Sequence, residues 1–132
     1  MYLVDTSILI DAQSARPRAK AQRFRQWLAQ GGRFFLTGIV YQEVLQGARD
    51  GEAFGKLEKF LGSQRFVEPR HGTASYAAAA GIYARCRWAG ITPRSTVDCL
   101  IAQIATEHQL TLLHDDSDYE RIQKVVPKLQ LA

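Results

Sequence analysis

Residues 1–11, MYLVDTSILID, decide how the rest of the chain is read. Tyr2, Leu3 and Val4 form a short apolar run with aromatic and β-branched character, suited to a strand buried on both faces. The run stops at Asp5, and Thr6 and Ser7 follow as hydroxyl residues able to open a helix that continues through Ile8, Leu9 and Ile10. A carboxylate therefore stands where a buried parallel strand passes into a helix, the edge at which open α/β sheets bind ligands. Taken alone, Asp5 reads as a helix cap. The alternative depends on whether other segments bring carboxylates to the same edge.

Outward from this stretch, strands and helices alternate. A helix over residues 19–30 carries Ala21, Phe24, Trp27 and Leu28 at helical spacing and ends at Gly31 and Gly32, with Arg18, Lys20, Arg23 and Arg25 as a solvated basic face. A strand over 33–36 leads into a helix over 39–48, and an amphipathic helix follows over 53–61. A short strand is expected over 65–68, and an alanine-rich helix over 73–89, where Tyr76, Ala80 and Tyr83 read as packing residues. After a polar loop over 92–96 come an apolar helix over 97–108 and a strand over 110–114. A short helix over 119–125 and an edge strand over 128–131 complete the chain. This order predicts a single domain, residues 1–132, with a parallel sheet between two helical layers.

Composition narrows the function classes. Hydrophobic residues make up 46% and charged residues 23% of 132, the balance of an ordinary globular domain. A net charge of +4 tilts partners weakly towards polyanions. No apolar run reaches the ~20 residues of a bilayer span, and no basic segment precedes an apolar core as a secretion signal requires. Cys86 and Cys99 are too few and too separated for a zinc or redox motif and read as buried thiols in a reducing cytoplasm.

Four acidic positions converge in this architecture. Parallel strands joined by right-handed crossovers place every carboxyl end on one edge, so Asp5 and the run Asp115, Asp116 and Asp118 share it. Asp98 lies in the first turn of the helix preceding the second acidic strand. That helix runs antiparallel to the strand and returns its first turn to the same edge. Glu43 follows its strand directly and sits on the apolar side of its helix, where it needs either an arginine partner or a metal ion. Asp98 has its own bland reading as part of a capping box with Ser95. Carboxylates at close quarters repel, and hard divalent cations with oxygen ligands, Mg²⁺ or Mn²⁺, relieve the repulsion. Such ions activate water for phosphodiester hydrolysis. His71, His108 and His114 have no clear catalytic role, although His114 is close enough to the acidic turn to support it.

The pieces LVDTSILID, YQEVLQGA, RSTVDCLIAQIA and LLHDDSDYERI, in this order and spanning essentially the whole chain, resemble the PIN-domain ribonucleases, and within them the VapC toxins of bacterial toxin–antitoxin pairs. The resemblance implies a three-layer α/β/α fold with a mostly parallel five-stranded sheet. It implies metal-dependent endonucleolytic cleavage of RNA, with tRNA or rRNA as the expected substrate and Mg²⁺ or Mn²⁺ as cofactor. By position, Asp5, Glu43, Asp98 and Asp116 match the family's four acids, with Asp118 as an accessory acid. Asp115 departs from many relatives, which carry a basic or neutral residue there. Thr6 and Ser7 match the supporting hydroxyls, and Arg94 matches a basic residue able to touch RNA phosphate. The resemblance further implies a homodimer, no membrane partner, and a small antitoxin lying in a groove that Ile8, Leu9, Phe24, Trp27 and Leu28 would supply.

Two rivals are set against this reading. A receiver or acyl-phosphate enzyme also puts acids at strand ends, but no strand-end lysine stands out and position 7 is Ser rather than a second Asp. A non-catalytic RNA- or protein-binding module of the same fold would not need all four acids, and no aromatic platform for single strands is visible. For either Asp5→Asn or Asp98→Asn, relief of repulsion leads us to expect an unchanged or higher melting temperature in metal-free buffer.

Overall fold

The computed structural model describes residues 1–132. The elements in order are β1 (Tyr2–Val4), α1 (Thr6–Ala12), α2 (Ala19–Gln30), β2 (Phe34–Phe35), α3 (Gly38–Gln46), α4 (Gly51–Gly62), α5 (Thr73–Trp88), α6 (Thr96–Glu107), β3 (Thr111–Leu113), α7 (Asp118–Gln123) and β4 (Gln130–Leu131). The four strands are all parallel, in the order β2-β1-β3-β4. The expected strand over 65–68 is reduced to a single parallel bridge between Leu36 and Phe66. The fifth position beyond β2 is therefore marked by one residue. Pro69 follows closely and leaves little room to extend it.

This strand order follows from the crossovers. From β1 the chain moves outward to β2 and the Phe66 bridge, then returns across the sheet to β3 and β4. Right-handed crossovers in opposite directions put their helices on opposite faces. Accordingly α1 packs on α2 and α3, and α3 on α4, whereas α5, α6 and α7 pack on one another. The reversal of direction falls between β1 and β3, which makes their carboxyl ends the switch point of the sheet. Val4 stands opposite Leu113, and the Asp5 N–H donates to the Leu113 carbonyl at 3.0 Å, which ties the end of β1 to that of β3.

The sheet has no solvent-facing side. Leu3, Val4, Leu36, Leu112 and Leu113 are fully buried, as continuous apolar strands between helical layers should be. Ile8 and Phe24 fill the first helical group against it, and Ile101, Ile104, Tyr119 and Ile122 fill the second. Helix starts are satisfied by side chains: Asp5 accepts from Ser7 N–H, Asp50 from Ala53 N–H and Ser95 from Val97 N–H. The segment between α4 and α5 is pinned by two glutamates. Glu68 accepts from the Gly38 N–H at 2.7 Å, where a Cβ would approach it to 2.9 Å. Glu107 accepts from the Arg70 N–H and the Ser75 hydroxyl; burial raises its pKa, but these hydrogen bonds together lower it below the usual range.

Three expectations about surfaces change. Tyr76 and Ala80 are exposed rather than packed, because α5 buries only Ser75, Ala79, Ile82 and Cys86. Ile8 belongs to the core and lines no groove, whereas Trp27 lies tilted against Tyr2 with centroids 4.6 Å apart and lines a pocket with Leu28 and Phe60. The apolar groove between the early helices is built from Leu9, Ala12, Phe24, Leu28, Leu57 and Phe60. The basic face of α2 is also not wholly solvated: Lys20 Nζ donates to the carbonyls of His114 and Ala132 at 2.7 and 2.9 Å.

Leu112, fully buried in a central strand, tests this packing. Leu112→Ala is expected to cost about 2–5 kcal/mol, read as a lower urea midpoint with an unchanged m-value.

Candidate active site

The switch point brings acids from four parts of the chain together. Asp5 extends from β1 as the N-cap of α1 and is 4% exposed. Its Oδ2 accepts from the Ser7 N–H at 3.0 Å and the Ser7 hydroxyl at 2.6 Å. The cap reading of Asp5 is thus correct, yet Oδ1 points the other way and accepts from the Tyr119 hydroxyl at 2.6 Å. That phenol also lies 3.4 Å from Asp98 Oδ1, so one buried hydroxyl touches both carboxylates. Glu43, on α3, has no arginine partner and instead accepts from the Thr6 hydroxyl at 2.7 Å. Ser7 has a second task, since its Oγ accepts from the Asp115 N–H at 3.0 Å and ties the start of α1 to the turn after β3.

Asp98 enters from the first turn of α6, as its antiparallel approach requires. One carboxylate oxygen from each of Asp98, Asp116 and Asp118 lies within 4.8 Å of the others, a group that does not include Asp5 or Glu43. Burial, followed by the charges of Asp5, Asp116, Asp118 and Glu43, pushes the Asp98 carboxyl up to about 7. Four acids thus act on one position. Asp115 turns away and lies 3.5 Å from Arg18.

Asp116 and Asp118 differ in environment. Asp116 Oδ1 accepts from the Asp118 N–H and from Arg94 Nη2, both at 2.9 Å. Asp118 is 1% exposed and meets two guanidiniums, those of Arg94 and Arg121. Burial raises its pKa, but Arg94 and Arg121 outweigh that effect and hold the carboxyl below its usual range. Arg94, expected to face RNA, is therefore also an intramolecular partner of the acidic turn.

Three contributors were not singled out from the sequence. Tyr119 is fully buried, and burial together with the nearby Asp5 and Asp98 charges keeps its phenol protonated as a permanent donor. The available signal was an aromatic residue with a polar tip directly after an acid at a helix start. Arg121 stands three residues after Asp118 on α7, a spacing that pairs charges on a helix. Lys20 faces the backbone of His114 from α2. His114 itself is buried, with Nδ1 accepting from the Asp116 N–H at 3.1 Å, so it shapes the acidic turn. Burial and the Lys20 charge lower its pKa and favour the neutral ring that this hydrogen bond needs.

The two Asn substitutions are now expected to differ. Native Asp98 keeps a proton that an unfolded Asp, near 3.8, has released. Its stabilising contribution is complete below about pH 4 and lost as pH rises through about 7. In EDTA the wild type should lose melting temperature over that window, and Asp98→Asn should flatten the curve and melt higher at pH 8. Asp5→Asn should melt lower, because an amide nitrogen, a donor, replaces one of the two oxygens that accept from Ser7 and Tyr119. Thermal denaturation from pH 4.5 to 8 checks both.

The PIN domain family model matches residues 2–125. A VapC ribonuclease of Mycobacterium bovis and ribonuclease VapC11 of Mycobacterium tuberculosis are each 32% identical to this chain over 133 aligned residues, covering 100% of the chain and 98% of the relative. Among solved structures, VapBC2 from Rickettsia felis superposes with a TM-score of 0.75 at 20% identity, covering 99% of this chain and 96% of the other. With a parallel sheet whose switch point gathers acids from four segments, and full-length relatives of this kind, the chain belongs to the PIN-domain family, among the VapC ribonucleases.

Proposed function

We propose that this protein is a divalent-metal-dependent endoribonuclease acting as the toxin of a toxin–antitoxin pair. The observation that carries the metal reading is the gathering of Asp98, Asp116 and Asp118, one carboxylate oxygen from each within 4.8 Å of the others; burial and then the neighbouring acids push the Asp98 carboxyl up to about 7. Such a cluster has unmet negative charge, and its donors are all oxygens. That set fits Mg²⁺ or Mn²⁺ and not a soft metal. Asp5, Glu43, Asp98 and Asp116 would hold the ion. When bound, it would supply Lewis acidity, making water nucleophilic near neutral pH and offsetting charge on the phosphate.

The protein's own groups set the stage for that chemistry. Ser7 and Tyr119 fix the two oxygens of Asp5, so its orientation costs nothing when substrate arrives. Thr6 aims Glu43 by the same means. Asp98 has few such restraints and a pKa near neutrality, so it changes charge most readily as a cation enters or leaves.

Two apolar surfaces support the partners. The groove of Leu9, Ala12, Phe24, Leu28, Leu57 and Phe60, about 200 Å³, fits an apolar segment of a small antitoxin. Across the molecule, exposed Tyr76 with Ala79, Ala80, Tyr83, Val97 and Leu100 forms a shallow face on α5 and α6 suited to a second copy of the chain. No helix is long and apolar enough to cross a membrane.

Incubating antitoxin-free protein with total bacterial RNA tests the reading. Discrete fragments with Mg²⁺ or Mn²⁺, none with EDTA, and at least about a hundredfold loss in Asp98→Asn are expected for a group that binds the essential ion. Lack of cleavage with either metal would favour a non-catalytic binding module. For the groove, Phe60→Glu should weaken capture of the cognate antitoxin by at least tenfold, about 1.4 kcal/mol, in a calorimetric titration while leaving RNA cleavage unchanged.

A further inference from the structure

Asp118 lies among the metal-site acids, but its partners set it apart. Its Oδ2 accepts from both the Arg94 N–H at 3.2 Å and Arg94 Nε at 3.0 Å, and Oδ1 accepts from Arg121 Nη1. These donors use three of the roughly four lone-pair positions of a carboxylate. Asp5 is engaged just as fully, but by neutral donors, so its charge remains available to a cation. The charge of Asp118 is already opposed by two guanidiniums. A third cation would meet a locally positive group.

The arginines are held at one end and free at the other. Arg94 is gripped through its backbone N–H and Nε, while its side chain is 70% exposed and donates from Nη2 to Asp116 at 2.9 Å. Both Nη1 protons of Arg94 remain uncommitted. The Arg121 side chain is 48% exposed and reaches Asp118 from α7. A buried carboxylate (1% exposed) thus anchors two arginines beside Asp98 and Asp116; Asp118, Arg94 and Arg121 together carry one net positive charge, which faces Asp116 through Arg94. Guanidiniums in a fixed orientation suit the planar, two-pronged recognition of phosphate. An RNA chain entering an acidic pocket needs such a counterweight, since the unliganded acids repel its backbone.

Resting on the nuclease reading above, we propose that Asp118 is a counterion and positioning residue rather than an ion ligand, and that it sets Arg94 and Arg121 as a two-arginine grip for an RNA phosphate beside the metal pocket. The grip also couples substrate to metal. Arg94 shares Asp116 with the ion, and a phosphate drawing Arg94 outward would release an Asp116 oxygen.

Three measurements test this. Mn²⁺ binding, followed by electron paramagnetic resonance without RNA, should be at least tenfold weaker in Asp116→Asn and within twofold of wild type or tighter in Arg94→Gln. Binding of a short single-stranded oligoribonucleotide, read by fluorescence anisotropy in the Asp98→Asn background, should weaken at least fivefold on adding Arg94→Gln or Arg121→Gln. Each should reduce the salt slope by about 0.7, as expected for one lost phosphate contact on a single strand. In cleavage kinetics Arg94→Gln should raise KM with a much smaller change in kcat, and Arg94→Lys should only partly restore it. Asp118→Asn, if it folds by circular dichroism, should follow the arginine variants in RNA affinity and keep Mn²⁺ affinity. Both arginine variants lie on exposed side chains, so they decide the matter even if Asp118→Asn does not fold. Mn²⁺ affinity falling with Arg94→Gln, or falling as much in a folded Asp118→Asn as in Asp116→Asn, would overturn the proposal. So would unchanged oligoribonucleotide binding in both arginine variants. The metal and RNA titrations do not need turnover, so failure of the nuclease reading itself would appear separately, as wild-type protein that never cuts.

Discussion

Mutual repulsion among carboxylates at the β1–β3 switch point is the constraint on which this structure depends. Asp5, Asp98, Asp116 and Asp118 cannot be gathered on a half-buried edge at no cost, and the surrounding architecture reads as a set of responses to that cost. The strands are short and wholly apolar, so burial of Leu3, Val4, Leu112 and Leu113 stabilises the edge from beneath. Hydroxyls restrain the acids without neutralising them: Thr6 on Glu43, and Ser7 and Tyr119 on Asp5. Arginines neutralise only Asp116 and Asp118. What remains unmet falls on Asp98, whose carboxyl is pushed up to about 7.

This division explains why chemically identical residues take different parts. A carboxylate held by neutral donors keeps its charge for an incoming cation, whereas one held by guanidiniums has already spent it. Asp5 and Asp118 are nearly equally buried and equally hydrogen-bonded, at 4% and 1% exposure. They differ in the charge of their partners, and Asp118 alone of the two shares the close group with Asp98 and Asp116. Under the proposed reading, the same contrast would assign metal binding to one side of the pocket and phosphate recognition to its rim.

The backbone contributes as much as the side chains. Because the chain runs outward to β2 and then back across to β3, β1 and β3 become neighbours and their carboxyl ends adjoin. The crossovers also separate the helices, leaving an apolar groove between α1, α2 and α4 on one side and the Tyr76 face of α5 and α6 on the other. The acidic edge, the groove and the face are therefore consequences of one topology. The chain's place among the VapC ribonucleases rests on full-length relatives at 32% identity and on the PIN domain family model.

The amino-acid order alone determined the alternation of strands and helices, the parallel sheet, and the convergence of Asp5, Glu43, Asp98 and the run Asp115, Asp116 and Asp118 on one edge. These follow from periodicity and from the handedness of crossovers, which are local or topological rules. Tertiary structure decided what local rules do not contain. A two-residue strand and a single bridge at Phe66 replaced longer strands, because pairing depends on a neighbour's length and not on propensity. Tyr76 looks like a core residue by spacing, yet it faces outward, since which stripe of an alanine-rich helix is buried depends on what packs against it. Tyr119 and Arg121 were present in the sequence as ordinary residues, and Arg94 stood out only as an RNA contact. Their roles come from distances across the fold, 114 residues apart along the chain for Tyr119 and Asp5, and only folding brings such pairs within reach of a hydrogen bond.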